Sequence, residues 1–205
     1  MENVGIINYK SGNIESLKNS LNYLGFNPIL INKKKDLINL SHIILPGVGA
    51  FEECIQELKK NKAIEEILKL IRDRKIFILG ICVGMQMLFE ESSEFGRTKG
   101  LNLLDGKITK IKSYEFSKIP HVGWNNITFK HSFGGFSKLR SEDFYFDHSY
   151  AYMNVKSKDL LASCIHGDKF VAAVRKSNIF GTQFHPEKSQ ASGLAFLKSF
   201  LELKC

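Results

Sequence analysis

A cysteine set between glycines, Gly80-Ile81-Cys82-Val83-Gly84, is the sharpest chemical feature of this chain. The pattern is that of a nucleophile elbow with a thiol in place of the usual hydroxyl. Small residues on either side permit a tight, strained turn that pushes the sulfur out at the end of a strand. The N-terminus of a following helix then favours the thiolate. A cysteine nucleophile needs a base, and the base needs a group to orient it. The segment Gly181-Thr182-Gln183-Phe184-His185-Pro186-Glu187 supplies both. Pro186 biases His185 toward extended backbone, and in an extended segment residues two apart share a face. Glu187 can therefore lie beside His185 and hold its imidazole in one tautomer. A third segment, Leu45-Pro46-Gly47-Val48-Gly49-Ala50-Phe51, is a glycine-rich turn. The backbone N–H groups of Gly47, Val48 and Gly49 can be aimed into the same crevice and, with that of Val83, can form an oxyanion hole.

These segments need a scaffold that brings them together. Short apolar runs at 4–8, 28–31, 42–45 and 76–79 predict buried strands. Between them, helical spacing joins Ile14, Leu17, Leu21 and Leu24, then Ile55 and Leu58, then Ile64, Ile67, Leu68 and Ile71. Gly25 ends the first of these helices, and 82–89 reads as a further one. Strands alternating with helices predict an α/β protein of three layers, a central, mostly parallel sheet flanked by helices. From about residue 101 the segments become short and alternating, at 107–111, 126–129, 144–146, 160–165 and 170–174. They predict antiparallel strands, added to the same sheet or forming a small second one. An apolar run at 179–184 and a helix carrying Leu194, Leu197, Phe200 and Leu201 close the chain. All three chemical segments follow predicted strands, so they share the carboxyl edge of the sheet, where sites in open α/β folds lie. Residues 1–205 read as one domain, without repeats or a linker.

The composition is that of a globular protein: 205 residues, 43% hydrophobic and 24% charged. That apolar fraction excludes a disordered chain. Four cysteines, Cys54, Cys82, Cys164 and Cys205, are too few for a disulfide scaffold and contain no CxxC pair, so no metal is expected. No apolar run approaches the roughly 20 residues that span a bilayer, and Met1-Glu2-Asn3-Val4 lacks the plan of a signal peptide. A cytoplasmic protein that meets no membrane is the expectation. The net charge of +8 comes mostly from dispersed lysine. It reads as a solvated surface rather than a nucleic-acid site, since no nucleic-acid motif accompanies it.

The segments quoted above together resemble the class I glutamine amidotransferase family over essentially the whole chain. Tyr9 to Asn13, Pro120-His121-Val122-Gly123-Trp124-Asn125 and Tyr145-Phe146-Asp147-His148-Ser149-Tyr150 narrow the likeness. They resemble the members that feed imidazole glycerol phosphate formation in histidine biosynthesis. The resemblance implies a triad of Cys82, His185 and Glu187, with glutamine held by Gly49, Gln86, Glu94 and Ser149 and hydrolysed to glutamate through a cysteine thioester. It implies no cofactor. It also implies a heterodimer, in which ammonia passes to a (β/α)8-barrel cyclase that makes imidazole glycerol phosphate and AICAR. Such a barrel needs some 200 or more residues of its own, so it must be another polypeptide. Asn13, Trp124, Tyr145 and Lys188 would face it. Lys10 and Asp147 depart from the family pattern without belonging to the triad. They leave open a paralogous role, ammonia supply to a cyclase-like partner in surface-polysaccharide synthesis. A non-catalytic interaction subunit and a cysteine peptidase or esterase are the readings from other classes. The intact triad opposes the first, and the combination of the glycine-rich turn with Gln183-Phe184-His185-Pro186-Glu187 opposes the second. His42, His121, His131, His148 and His166 are given no part in proton transfer.

Overall fold

The computed structural model describes residues 2–9, 13–130, 136 and 141–204. The expectations placed on Lys10, His131 and Cys205 fall outside them. Strands β1 (Asn3–Ile7), β2 (Asn27–Ile31), β3 (His42–Leu45) and β4 (Phe77–Ile81) are the four short apolar runs, and their pairings are all parallel. Ile43, Ile44, Leu45, Ile78 and Leu79 have essentially no exposed surface. Parallel strands covered on both faces need such continuous apolar runs, because neither face of the sheet meets water.

Helices α1 (Ile14–Tyr23), α2 (Phe51–Lys59) and α3 (Ile64–Arg72) connect these strands. Each buries one stripe: Leu17 and Leu21; Phe51, Cys54, Ile55 and Leu58; Ile67 and Ile71. Gly25 follows α1 at φ +85°, a left-handed position that suits a residue without Cβ. Helix α4 spans only Val83–Met87, shorter than the 82–89 expected from sequence. Cys82 lies outside it because its own backbone is left-handed, with φ 53° and ψ −113°.

The second half adds β5 (Glu91–Ser92), β6 (Thr98–Lys99), β7 (Lys107–Lys110), β8 (His121–Phe129), β9 (Ser141–His148), β10 (Tyr150–Tyr152), β11 (Leu160–His166), β12 (Asp168–Lys176) and β13 (Ile179–Thr182), then helix α5 (Gln190–Leu201). Both alternatives left open for these strands are realised. The large sheet runs β2-β1-β3-β4-β13-β12-β11-β8-β9, and a smaller one runs β10-β7-β5-β6. The five strands from β2 to β13 are parallel neighbours, and from β13 to β9 every pairing is antiparallel. Phe129, Phe144, Phe184 and Phe196 fill the core beside β9 and α5, the ring centroids of Phe144 and Phe184 lying 4.1 Å apart.

Strand β13 returns to lie beside β4, with Gly181 opposite Gly80 and Thr182 opposite Ile81. This register brings the residues that follow both strands to the same edge of the sheet.

Candidate active site

The elbow is built by close backbone approach. A Cβ on Gly84 would collide with the carbonyl of Leu45, and one on Gly47 would collide with the backbone N of Gly84. Only glycines let the glycine-rich turn after β3 lie against the first turn of α4. Tyr9, buried after β1, donates its hydroxyl to the carbonyl of Pro46 and ties that turn to the sheet. Cys82 itself donates its backbone N–H to the carbonyl of Thr182 at 2.7 Å. Its positive φ is costly for a residue with a side chain, and these contacts on both sides maintain it.

His185 follows β13. Its backbone N–H donates to the Tyr145 carbonyl at 2.9 Å, and its carbonyl accepts the Ser189 hydroxyl at 2.6 Å. Pro186 opens a single 3-10 turn, Pro186–Lys188, immediately after it. The Nδ1 of His185 and Oε1 of Glu187 are 2.8 Å apart, with both side chains almost fully buried. The other carboxylate oxygen, Oε2, is buried with no hydrogen-bond partner. A buried carboxylate held by one hydrogen bond needs a positive partner. Burial alone pushes the His185 imidazole toward its neutral form. The charge of Cys82, the hydrogen bond between the two side chains and the Glu187 carboxylate outweigh it, and the pKa is raised above the ordinary histidine value. The geometry therefore suits a thiolate–imidazolium pair with a carboxylate behind it.

A cavity of about 220 Å³ opens over this group, lined by Val48, Gly49, Cys82, Val83, Gln86, Glu94, Pro120, Asp147, His148, Ser149, Tyr150 and His185. That is on the order of seven water volumes, enough for a small polar substrate. Val48, Gly49, Val83, Gln86, Glu94 and Ser149, singled out from sequence, are thus brought to one wall with the thiol and the imidazole. Gly49 adopts φ +116°. Glu94 also braces the fold, because its Oε2 accepts the backbone N–H of Phe51, the first residue of α2, at 2.8 Å. A larger, more open cavity of about 840 Å³ lies beside Asn8, Asn32, Lys33, Lys35 and Lys60. Its lining has no cysteine or histidine, whereas the smaller cavity brings Cys82 and His185 together.

Of the residues expected at a partner surface, three form one group. The Lys188 ammonium lies 5.4 Å from the Tyr145 ring centroid, and the rings of Trp124 and Tyr145 meet edge to face at 6.4 Å. Trp124 is 49% exposed, an unusual state for the only tryptophan in the chain. The Tyr145 ring is 6.5 Å from that of His185, so this surface adjoins the His185–Glu187 pair. Asn13 stands at the N-cap of α1. That helix shares a small cavity with Glu187 and Lys188 through Asn19, Ser20 and Tyr23.

Two close contacts of the sulfur escaped the sequence reading. The backbone carbonyl of Asp147 lies 3.7 Å from Cys82 Sγ, and Asp147 lines the same cavity. The side-chain amide nitrogen of Gln183 lies 3.7 Å from the same sulfur. A glutamine directly after a strand carries no chemical signal by itself. Its complete burial is the observation that exposes it.

The family model for glutamine amidotransferase class-I matches residues 5–203. The chain belongs to that family. It is 40% identical, over 100% of both chains, to a Geobacter sulfurreducens protein named imidazole glycerol phosphate synthase subunit HisH. A Caldanaerobacter subterraneus protein of the same name is 42% identical over 98% of this chain and 99% of its own. Among solved structures, a glutamine amidotransferase crystal structure superposes with a TM-score of 0.76 at 20% identity, covering 97% of both chains. The structure of PurLQS from Thermotoga maritima gives 0.75 at 20% identity over 98% of both. Both share the α/β fold described above. No helix among the described residues is long and apolar enough to cross a membrane.

Proposed function

We propose that this chain is the glutaminase subunit of an imidazole glycerol phosphate synthase and uses Cys82, His185 and Glu187 as its catalytic triad. The observation that carries the proposal is the buried Cys82–His185–Glu187 line opening onto a cavity with Gln86, Glu94 and Ser149. It occurs in a chain whose full-length relatives bear that subunit's name. The Cys82 sulfur attacks the side-chain amide carbon of glutamine. Backbone N–H groups of the glycine-rich turn and Val83 stabilise the oxyanion. His185 passes its proton to the departing nitrogen, the C–N bond breaks, and ammonia leaves a glutamyl thioester. Water, deprotonated by His185, hydrolyses the thioester to glutamate and restores the thiol. The surface formed by the exposed Trp124 with the half-buried Tyr145 and Lys188 docks a separate (β/α)8-barrel cyclase that receives the ammonia.

The test is glutamate release from glutamine by the chain alone, then with the histidine-pathway cyclase of the same organism and its ribonucleotide substrate. Strong stimulation is expected, together with complete loss of hydrolysis in Cys82→Ala. Basal hydrolysis that the cyclase leaves unchanged would retain the glutaminase and transfer the acceptor to the surface-polysaccharide alternative. Hydrolysis by Cys82→Ala would end the mechanism.

A further inference from the structure

We propose that Gln183 is a positioning residue for the nucleophile, its side-chain amide aimed by Gln86 so that an N–H faces the Cys82 sulfur. The inference deepens the reading of Cys82 as the nucleophile and rests on it.

The orientation of this amide follows from the groups around it. The carbonyl of Tyr150 is an acceptor only, and it receives Nε2 of Gln86 at 2.9 Å. That fixes which end of the Gln86 amide points inward. The same nitrogen then donates to Oε1 of Gln183 at 3.0 Å. An oxygen must occupy that position, because two amide nitrogens facing each other would leave both without an acceptor. Gln183 Nε2 is thereby turned to Cys82 Sγ at 3.7 Å. His148 adds a further support, since its Nδ1 lies 2.9 Å from the same Tyr150 carbonyl. Gln183 follows β13 of the large sheet and Tyr150 opens β10 of the small one. The network therefore joins the two sheets directly behind the sulfur.

The sulfur needs this donor. The Asp147 carbonyl beside it can accept a proton from the thiol but offers nothing to a thiolate. Among the side chains that face the sulfur or line its cavity, the titratable ones are His185 backed by Glu187, His148 and Asp147 from β9, Glu94 and Tyr150. Of these His185 supplies the positive charge. Gln183 supplies a neutral, fully buried N–H that cannot swing away into solvent. Hydrogen bonds to an ionised acceptor are about twice as strong as neutral ones, so the thiolate is favoured over the thiol.

The experiment is the pH dependence of Cys82 alkylation by iodoacetamide in the full chain, followed on the Cys82 peptide by mass spectrometry. In Gln183→Met, which keeps the volume and removes the donor, the midpoint is expected to rise by about one pH unit. Gln183→Glu keeps the shape, places a carboxylate oxygen against the sulfur and is expected to raise it further. It carries the test even if the methionine variant folds poorly. Thr182→Val removes a buried hydrogen bond one residue away, from Oγ1 to the Phe184 carbonyl. It serves as the control for a merely structural effect and should leave the midpoint in place. Profiles of the Gln183 variants that superimpose on the unaltered protein would overturn the inference and leave the triad standing. Retained glutamine hydrolysis in Cys82→Ala would remove both.

Discussion

His185 and Glu187 are joined through Nδ1 and Oε1 at 2.8 Å, with only 2% and 4% of their side chains exposed. Because the folded structure raises the pKa of His185, the imidazole remains protonated above the ordinary value of about 6.5. The alkaline limb of the kcat/KM profile, where His185 loses its proton, is therefore expected well above pH 6.5. In Glu187→Gln the alkaline limb should move to lower pH and kcat should drop by about 10²-fold. A Glu187→Gln profile that kept the original limb would show that the carboxylate does not support the imidazolium.

Gly84 leaves no space for a side chain against the Leu45 carbonyl. Gly84→Ala should force the glycine-rich turn away from α4, at a cost of about 1–3 kcal/mol for the overpacked contact. It should also reduce glutamine turnover more than that loss of stability explains, because the turn carries the proposed oxyanion donors. Urea unfolding, with turnover measured well below the transition, separates the two effects.

His121 and His148 form a buried pair, Nδ1 of the first 3.0 Å from Nε2 of the second, with His166 stacked on His121 at 4.0 Å between centroids. Burial first, and neighbouring histidines second, depress His121 to about 4 and His148 to about 3. In the unfolded chain both take up protons near pH 6.5. The stability they contribute is fully present above that pH, because the native state binds fewer protons. It is lost as pH falls from 6.5 through 4 toward 3. The urea midpoint should therefore decline over that interval, and His148→Gln should flatten the decline. An equal slope in the variant would assign the acid sensitivity elsewhere.

The exposed Trp124 ring, braced against Tyr145, has the geometry of an interface anchor. Trp124→Ala should weaken binding of the proposed barrel partner by about 30-fold, the effect of a central aromatic. The melting temperature of the free subunit should stay within about 1 °C, since exposed positions contribute little to the core. Titration calorimetry and thermal unfolding measure the two.

The sequence made β1 to β4 legible because parallel strands buried on both faces must be written as unbroken apolar runs. It also exposed the proposed triad, since Cys82 between glycines and His185 before Pro186 are local patterns. The full lengths of β8 and β9 were hidden. Val122 and Trp124 point outward and polar residues interrupt both strands, so only the end 126–129 of β8 and the middle 144–146 of β9 looked like strand. The two-residue strands β5 and β6 are too short for any period to show. The supports of the site were hidden for a different reason. Gln183, the Asp147 carbonyl and the His121–His148 pair act through contacts with residues tens of positions away, and no local spacing encodes such contacts.

The pairing of β4 with β13 has a consequence for how the protein is made. Cys82 and Gln183 are separated by 101 positions in the chain, and β13 leaves the ribosome after every other strand among the described residues. A nascent chain therefore presents the Cys82 thiol long before the His185 imidazole exists. On the proposed mechanism, glutamine hydrolysis is withheld until β13 closes the gap between β4 and β12. With His185 in its proposed role, the fold times its own reactivity: no truncated product ending before that residue can spend the cell's glutamine.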